Sequence, residues 1–323
     1  MEARSASGHG DESRALAGGN LLEALAEGDR VCLFAAGRKR SVEAGEEVAR
    51  QGSRGDSLFV VIEGELAVAR ALPGDDEKLL ATAKPGMLLG EIAVLDRGAR
   101  SASLRATRAS VLREIGLGAF EALTLYGGDI GYRILRAVAT SVHHRLAATR
   151  RVEGAVPHST LSPGAQLKCS SPTSGALAVL RSLSAFEGLD ERDWDAMLPQ
   201  MGVCEVERGA DLVLPDASGA GAVIVLRGAL SPWLPDGSGP ELTVPAAGPG
   251  GFVEYAAALG MPPELRRWRA RSPARLLRLD GALFEPESPF ACRLLYALSR
   301  SLATALRRST GLAMHFRMAW VKA

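Results

Sequence analysis

The chain of 323 residues is 47% hydrophobic, long enough for two packed cores and too apolar for a mostly disordered polymer. Its 38 Lys and Arg against 37 Asp and Glu leave a formal charge of +1, which excludes a global field drawing it to nucleic acid or anionic lipid. The four cysteines (Cys32, Cys169, Cys204, Cys292) form no CxxC pair, so neither zinc nor a disulfide framework is expected, and no apolar run reaches the roughly eighteen residues that span a bilayer.

Residues 1–19 are small, polar and Gly-rich and read as a disordered tail without the apolar core of a signal peptide, which sets the expectation of a cytoplasmic protein with no membrane association. Leu21, Leu22, Leu25, Val31 and Leu33 follow at helical spacing. From Ser41 the texture changes to short apolar runs punctuated by turn residues: Val42, Val48, then LFVVIEG and ELAVARAL, with Pro85-Gly86 as a further turn and two more strands between Ser103 and Ile115. Around Ala119 the period lengthens again. Phe120 and Leu123 predict one helix, and Ile130, Ile134, Leu135, Val138, Val142 and Leu146 a longer one. Residues 20–150 thus read as one domain, a β sandwich or barrel with flanking helices.

Residues 151–176 carry three prolines with serines and glycines and read as a linker. Residues 177–323 repeat the first pattern in weaker form. GAVIVLRGAL echoes SLFVVIEGEL, Pro249-Gly250-Gly251 echoes Pro85-Gly86, ARLLRLDGALFE echoes SVLREIGLGAFE, and CRLLYALSRSLATALRR closes as an amphipathic helix. A repeat at a separation of roughly 160 residues predicts tandem domains, not a solenoid.

The chemistry is concentrated in Gly90–Ser103, GEIAVLDRGARSAS. Within it the Glu91 carboxylate, the Arg100 guanidinium, the Ser101 hydroxyl and a small-residue backbone suit a compact ligand that carries a phosphate and a sugar hydroxyl. Gly90 leaves room for close backbone approach, and Ile92 and Ala93 would open a short helix whose unpaired N–H groups favour an anion. With QGSRGDSLFVVIEGEL upstream, PGMLLGE leading in and RSASLRA leading out, the stretch resembles the phosphate-binding cassette of cyclic nucleotide-binding domains, the family of catabolite activators and protein-kinase regulatory subunits.

That resemblance implies a mainly β fold with flanking helices (α+β), two tandem jelly-roll β-rolls. It implies that Glu91 accepts from a ribose 2′-hydroxyl and Arg100 pairs with a cyclic phosphate, with Ser101 donating to phosphate or reaching the purine and Ala102 offering a backbone amide. A residue on the last helix of the domain caps the base in the family, which places Ser141 or Arg145 there. The ligand is cAMP or cGMP, and Ser101 does not decide between them; no further cofactor is implied.

In the second half, Glu254 aligns with Glu91, but Val253 replaces the glycine, Pro262-Pro263 lengthens the loop, and Trp268 follows Arg266 and Arg267 where a small pair belongs. This copy is expected to be degenerate and to serve as a structural, dimer or docking module. Arg266, Arg267, Arg269, Arg271, Arg275 and Arg278 form the one basic run, read as a solvated strand face; no recognition-helix module fits, so no specific DNA binding is expected. His143 and His144 are adjacent on a helix, about 100° apart, and cannot share a metal. Arg38-Lys39-Arg40-Ser41-Val42 resembles a basophilic kinase site but lies at the start of the first strand.

No nucleophile–base or metal set emerges, so the expected protein is a non-enzymatic cyclic-nucleotide sensor that signals by helix rearrangement to its second domain, a protein partner or a second copy. The alternatives are an interaction scaffold, in which Arg100 would pair with an internal carboxylate, and a cyclic dinucleotide receptor using Arg266–Arg271.

Overall fold

The computed structural model describes residues 20–71, 77–150, 167–183, 186, 189–214, 220–233, 246–262 and 266–321. The expected tail 1–19 and most of the expected linker lie outside these. The chain consists mainly of β sheets with flanking helices, and it divides into two compact units, Met1–Val152 with Leu302–Ala323, and Glu153–Ser301.

The first unit opens with α1 (Leu21–Ala24), where the Asn20 side chain accepts from the N–H groups of Leu22 and Glu23, and α2 (Glu27–Ala35). There follow β1 (Arg38–Val42), β2 (Glu47–Ala49), β3 (Ser57–Ala71), β4 (Glu77–Ala83), β5 (Leu88–Leu89), α3 (Glu91–Leu95), β6 (Ser103–Gly116), α4 (Leu117–Tyr126) and α5 (Gly128–Arg150). The described strands form one sheet in the order β1-β6-β3-β4, with β2 on β6 and β5 on β3.

The antiparallel ladder of β3 and β6 is the spine of the unit, and its register slips between Val61 and Leu66. Gly64 lies in that slip at φ +88°, where a Cβ would strike the Ser110 side chain, so the strand can bend only because no side chain is present. Phe59, Val61, Leu66, Leu89, Leu104 and Leu112 pack as one core, while Leu58 and Val60, on the opposite face of β3, are equally buried. Burial on both faces explains why LFVV reads as a continuous apolar run. On α5 the face Ile134, Leu135, Val138, Val142 and Leu146 is buried, as its helical spacing predicts. Arg133 of the same helix grips Asp29 of α2 with two bonds, 2.8 and 2.7 Å.

The second unit holds β7 (Cys169–Ser170), α6 (Ser174–Ser182), α7 (Glu191–Met197), β8 (Met201–Val206), β9 (Asp211–Leu214), β10 (Ala220–Arg227), β11 (Leu230–Trp233), β12 (Phe252–Glu254), β13 (Arg266–Ala270), β14 (Ala274–Asp280) and the start of α8 (Ala291–Val321). Its described strands form a sheet β12-β10-β14-β8-β7 and a second, β11-β13-β9.

The sequence pattern places all of 177–323 in the second domain, whereas α8 from Leu302 onward groups with the first unit. No disulfide was expected, yet Cys169 and Cys204 are joined, opposite each other where β7 pairs with β8. A separation of 35 residues carries no pattern, and only the strand register brings the two sulfurs together. Among the described residues no helix is long and apolar enough to cross a membrane, and no cluster of three or more His, Cys, Asp or Glu could hold a metal.

Candidate functional site

The predicted cassette is one continuous structural feature. β5 runs along β3 and delivers Gly90 at φ +80°, the left-handed region. A Cβ there would fall 2.4 Å from Nη1 of Arg100 and 3.1 Å from the Ser57 carbonyl oxygen, so glycine is required by space as well as by backbone angle. The short helix α3 begins at the next residue. Its first turn closes from Val94 N–H to Gly90 C=O, at 3.3 Å, which leaves the N–H groups of Ile92 and Ala93 ahead of the intrahelical ladder. Ala93 is buried against Gly55, where a Cβ would fall 2.1 Å from its own.

Glu91 is fully buried. Nη2 of Arg145, on α5, stands 2.7 Å from its Oε1 and also donates to the Leu88 carbonyl at 3.2 Å. The contact has the distance of an ion pair without the direction of a hydrogen bond, and neither carboxylate oxygen accepts one among the described residues. The ion pair is real in charge terms, because 2.7 Å in a buried setting is strong attraction whatever the angle. Apart from this ion pair, neither oxygen has its hydrogen-bonding capacity met among the described residues, a costly state for a buried carboxylate.

Arg100 is 6% exposed. Its backbone is pinned on both sides, N–H to Ser53 C=O at 2.8 Å and C=O from Gly52 N–H at 2.9 Å. Nη1 donates to the Ser57 carbonyl at 2.6 Å and the Gly90 carbonyl at 3.3 Å, and Nη2 to Ser57 Oγ at 3.0 Å, with the guanidinium over the Phe59 ring. Burial pushes Arg100 below its ordinary value, while the carboxylates of Asp56, Glu91 and Glu114 favour the charged form. Ser101 and Ala102 follow, half-buried, and Ser141 is buried one turn before Arg145 on α5.

The structure therefore brings Gly90, Glu91, Ile92, Ala93, Arg100, Ser101 and Ala102 into one cassette and sets Arg145 against its carboxylate. Ser57 was missed: it holds the guanidinium through both carbonyl and hydroxyl, and it lies 43 residues from Arg100 with no sequence signal linking them. Together the groups offer a buried acceptor at one pole and a buried cationic fork at the other, the complement of a sugar hydroxyl and a phosphate.

The second unit is built differently at the matching place. Glu254 is buried, but its Oε1 accepts from the N–H groups of Tyr255 and Ala256, both at 2.9 Å. Trp268 is buried within the core of that unit, with Leu212, Val225, Val253 and Leu276. In the basic run, Arg269 is forked onto Asp211 at 2.7 Å and stacked on Trp233, Arg271 donates to Ser231, and Arg275 pairs with Glu205; the side chain of Arg266 lies outside the described residues. The RKRSV segment is β1 itself, paired along β6.

The sequence profile of the cyclic nucleotide-binding domain matches residues 39–125. An uncharacterized ABC transporter ATP-binding protein of Mycobacterium tuberculosis is 35% identical over 111 residues, covering 27% of this chain and 34% of that protein. The cyclic AMP receptor protein of Thermus thermophilus is 38% identical over 66 residues, 20% of this chain and 31% of that protein. The chain thus spans about a third of the length of these relatives. The regulatory domain of Toxoplasma gondii PKA with cAMP aligns over 87% of this chain and 92% of that one, at 21% identity and a TM-score of 0.30. The matched family is regulatory and not catalytic. Residues 39–125 are thus those that match the cyclic nucleotide-binding domain family, and Glu91 and Arg100 lie within the matched stretch.

Proposed function

We propose that the chain is a non-enzymatic sensor of a cyclic mononucleotide, cAMP or cGMP, with a ligand-competent first unit, a degenerate second unit and no cofactor besides the ligand. The observation that carries this reading is Glu91, a fully buried carboxylate whose two oxygens accept no hydrogen bond, in one cassette with a buried Arg100. The ribose 2′-hydroxyl would donate to Glu91. The cyclic phosphate would take the Arg100 fork with Ser101 and the amides of Ile92, Ala93 and Ala102. Ser141 and Arg145, from α5, would reach the base side.

Signalling follows from the Glu91–Arg145 contact. A hydroxyl arriving at Glu91 competes with the Arg145 guanidinium, so ligand and α5 are coupled through one carboxylate, and the shift is bounded by the ligand's differential affinity for the two arrangements. The output is a partner protein or a second copy. A cytoplasmic setting belongs to this reading, and in a reducing cytosol Cys169 and Cys204 would stand as thiols. Against a pure scaffold stands Arg100 itself, which among the described residues is held by carbonyls and a hydroxyl and not by an ion-paired carboxylate. Against a dinucleotide receptor stand Arg269 and Arg271, already engaged within their own unit.

Calorimetric titration with cAMP, cGMP and cyclic di-GMP tests the proposal. Heat with a mononucleotide that disappears in Arg100→Glu is the expected result. No heat with either mononucleotide, or an identical isotherm for the variant, would overturn it.

A further inference from the structure

The turn that leaves the cassette helix is held from the far end of the chain. Asp96 caps α3 at its C-terminus, and its side chain is 8% exposed. Arg307, on the part of α8 that belongs to the first unit, meets that carboxylate with a two-pronged fork, Nε to Oδ2 and Nη2 to Oδ1, the latter at 2.9 Å. The same stretch of helix buries Leu302, Ala303, Leu306 and Ser309 at helical spacing.

Three further features converge on this turn. Gly98 N–H donates to Asp96 Oδ1 at 3.0 Å, and a Cβ on Gly98 would fall 2.9 Å from both Arg307 Nη2 and Asp96 Oδ1, so the glycine admits the guanidinium. Arg97, between them, stands at φ +52°, a strained backbone for a residue with a side chain, and donates to Glu121 at 2.7 Å. Arg307 also sits near enough to Arg70 to disfavour its charge, second only to burial. A cation held beside another cation needs a carboxylate, and Asp96 supplies it.

We propose that the Asp96–Arg307 ion pair positions the cyclic nucleotide cassette, so that ligand affinity in the first unit depends on residues 302–310 of the C-terminal helix. Asp96 ends the helix that begins at Glu91, and Gly98 lies two residues before Arg100. A displaced turn therefore moves both poles of the ligand site at once. Asp96 and Arg307 are positioning residues and touch no ligand. Coupling is reciprocal, so bound ligand must in turn steady residues 302–310. This rests on the cyclic-nucleotide reading above.

The test uses the full chain as wild type, Asp96→Asn, Arg307→Gln, the double variant and Arg307→Lys. Asp96→Asn keeps the side-chain oxygen that accepts from Gly98, while it removes the charge and replaces the oxygen that accepts from Arg307 Nε with an NH2 donor. Affinity for cAMP and cGMP is read by calorimetry, and amide exchange over residues 94–100 and 302–310 by mass spectrometry, with and without nucleotide. Each single variant should bind about 5- to 10-fold more weakly, the double no worse than the singles, and Arg307→Lys in between. Exchange over 94–100 should quicken in each variant without ligand, and nucleotide should slow exchange over 302–310 in the wild type alone. Affinities within about twofold of wild type overturn the proposal, even if the variants are globally less stable. If the wild type binds neither nucleotide, the sensor reading falls, and the ligand-free exchange still decides the turn: unchanged rates over 94–100 overturn the latch, faster rates retain it as a device of the fold.

Discussion

Glu91 opens the short helix α3 and Glu254 ends the strand β12, both buried, and their carboxylates meet different groups. Glu254 turns back on its own backbone and fills the two amides of Tyr255 and Ala256, the donors an incoming anion would need. Glu91 accepts no hydrogen bond and faces Arg145 instead. The preceding residue makes the difference possible. Gly90 at φ +80° ends the strand and lets α3 begin at Glu91, whereas Val253 continues β12 as buried strand. The Glu254 carboxylate thus occupies its own following amides, whereas Glu91 meets Arg145 and leaves the amides of its own turn to other acceptors.

The largest effect should come from breaking the Glu91–Arg145 contact. Replacing either partner alone leaves a buried charge, a loss of about 3–5 kcal/mol, while Glu91→Gln with Arg145→Met should cost less than either single change. Hydrogen exchange resolved by unit is the appropriate measurement, because a chain with two compact units need not unfold in one step. Double-variant losses equal to the sum of the singles would show that the two side chains do not interact. Arg100 comes next. Arg100→Gln should weaken cyclic nucleotide binding about 100-fold, the size of two charge-assisted hydrogen bonds, while Arg269→Gln in the second unit leaves the isotherm unchanged. Equal losses would mean that the second unit also carries ligand. Smaller still is Glu254→Gln. Its amide oxygen can still accept from Tyr255 and Ala256, so the second unit should lose about 1 kcal/mol, and ligand affinity nothing, in the same two assays.

How far the sequence reached follows from distance along the chain. The strands around LFVV, the buried stripe of α5 and the order of Gly90, Glu91 and Arg100 are local, and periodicity or adjacency suffices to read them. Ser57 beneath Arg100, Arg145 against Glu91, Cys169 opposite Cys204 and Arg307 on Asp96 are products of strand register and helix docking, the last across 211 residues. No single-sequence pattern contains them. Val253 and Trp268 predict crowding in the second half of the chain. That Trp268 fills the core, and that Glu254 satisfies its own turn, depends on backbone angles that composition does not carry.

The smallest expected difference between the units lies in their acid limbs. Asp29 is held below the ordinary carboxylate value chiefly by its hydrogen bonds to Arg133, against a burial penalty that pushes upward, and Asp211 likewise by Arg269. A depressed carboxylate contributes stability that is complete above the unfolded-state value, about 3.9, and is lost as pH falls through the lower folded-state value. Near neutrality both pairs therefore contribute in full and stability does not change with pH on their account, and below that value their contribution is lost as pH falls. They differ in exposure of the carboxylate: the Asp29 side chain is 3% exposed and that of Asp211 31%, with their arginines 49% and 33% exposed, so water and salt screen the Asp211 carboxylate more. Asp29→Asn should flatten the acid unfolding of the first unit more than Asp211→Asn flattens that of the second, and added salt should erase the Asp211 effect first. Acid titrations followed by exchange in each unit, at low and high ionic strength, measure both slopes. An equal or larger effect at Asp211 would mean that the exposure of the carboxylate, with the screening it brings, does not set the order.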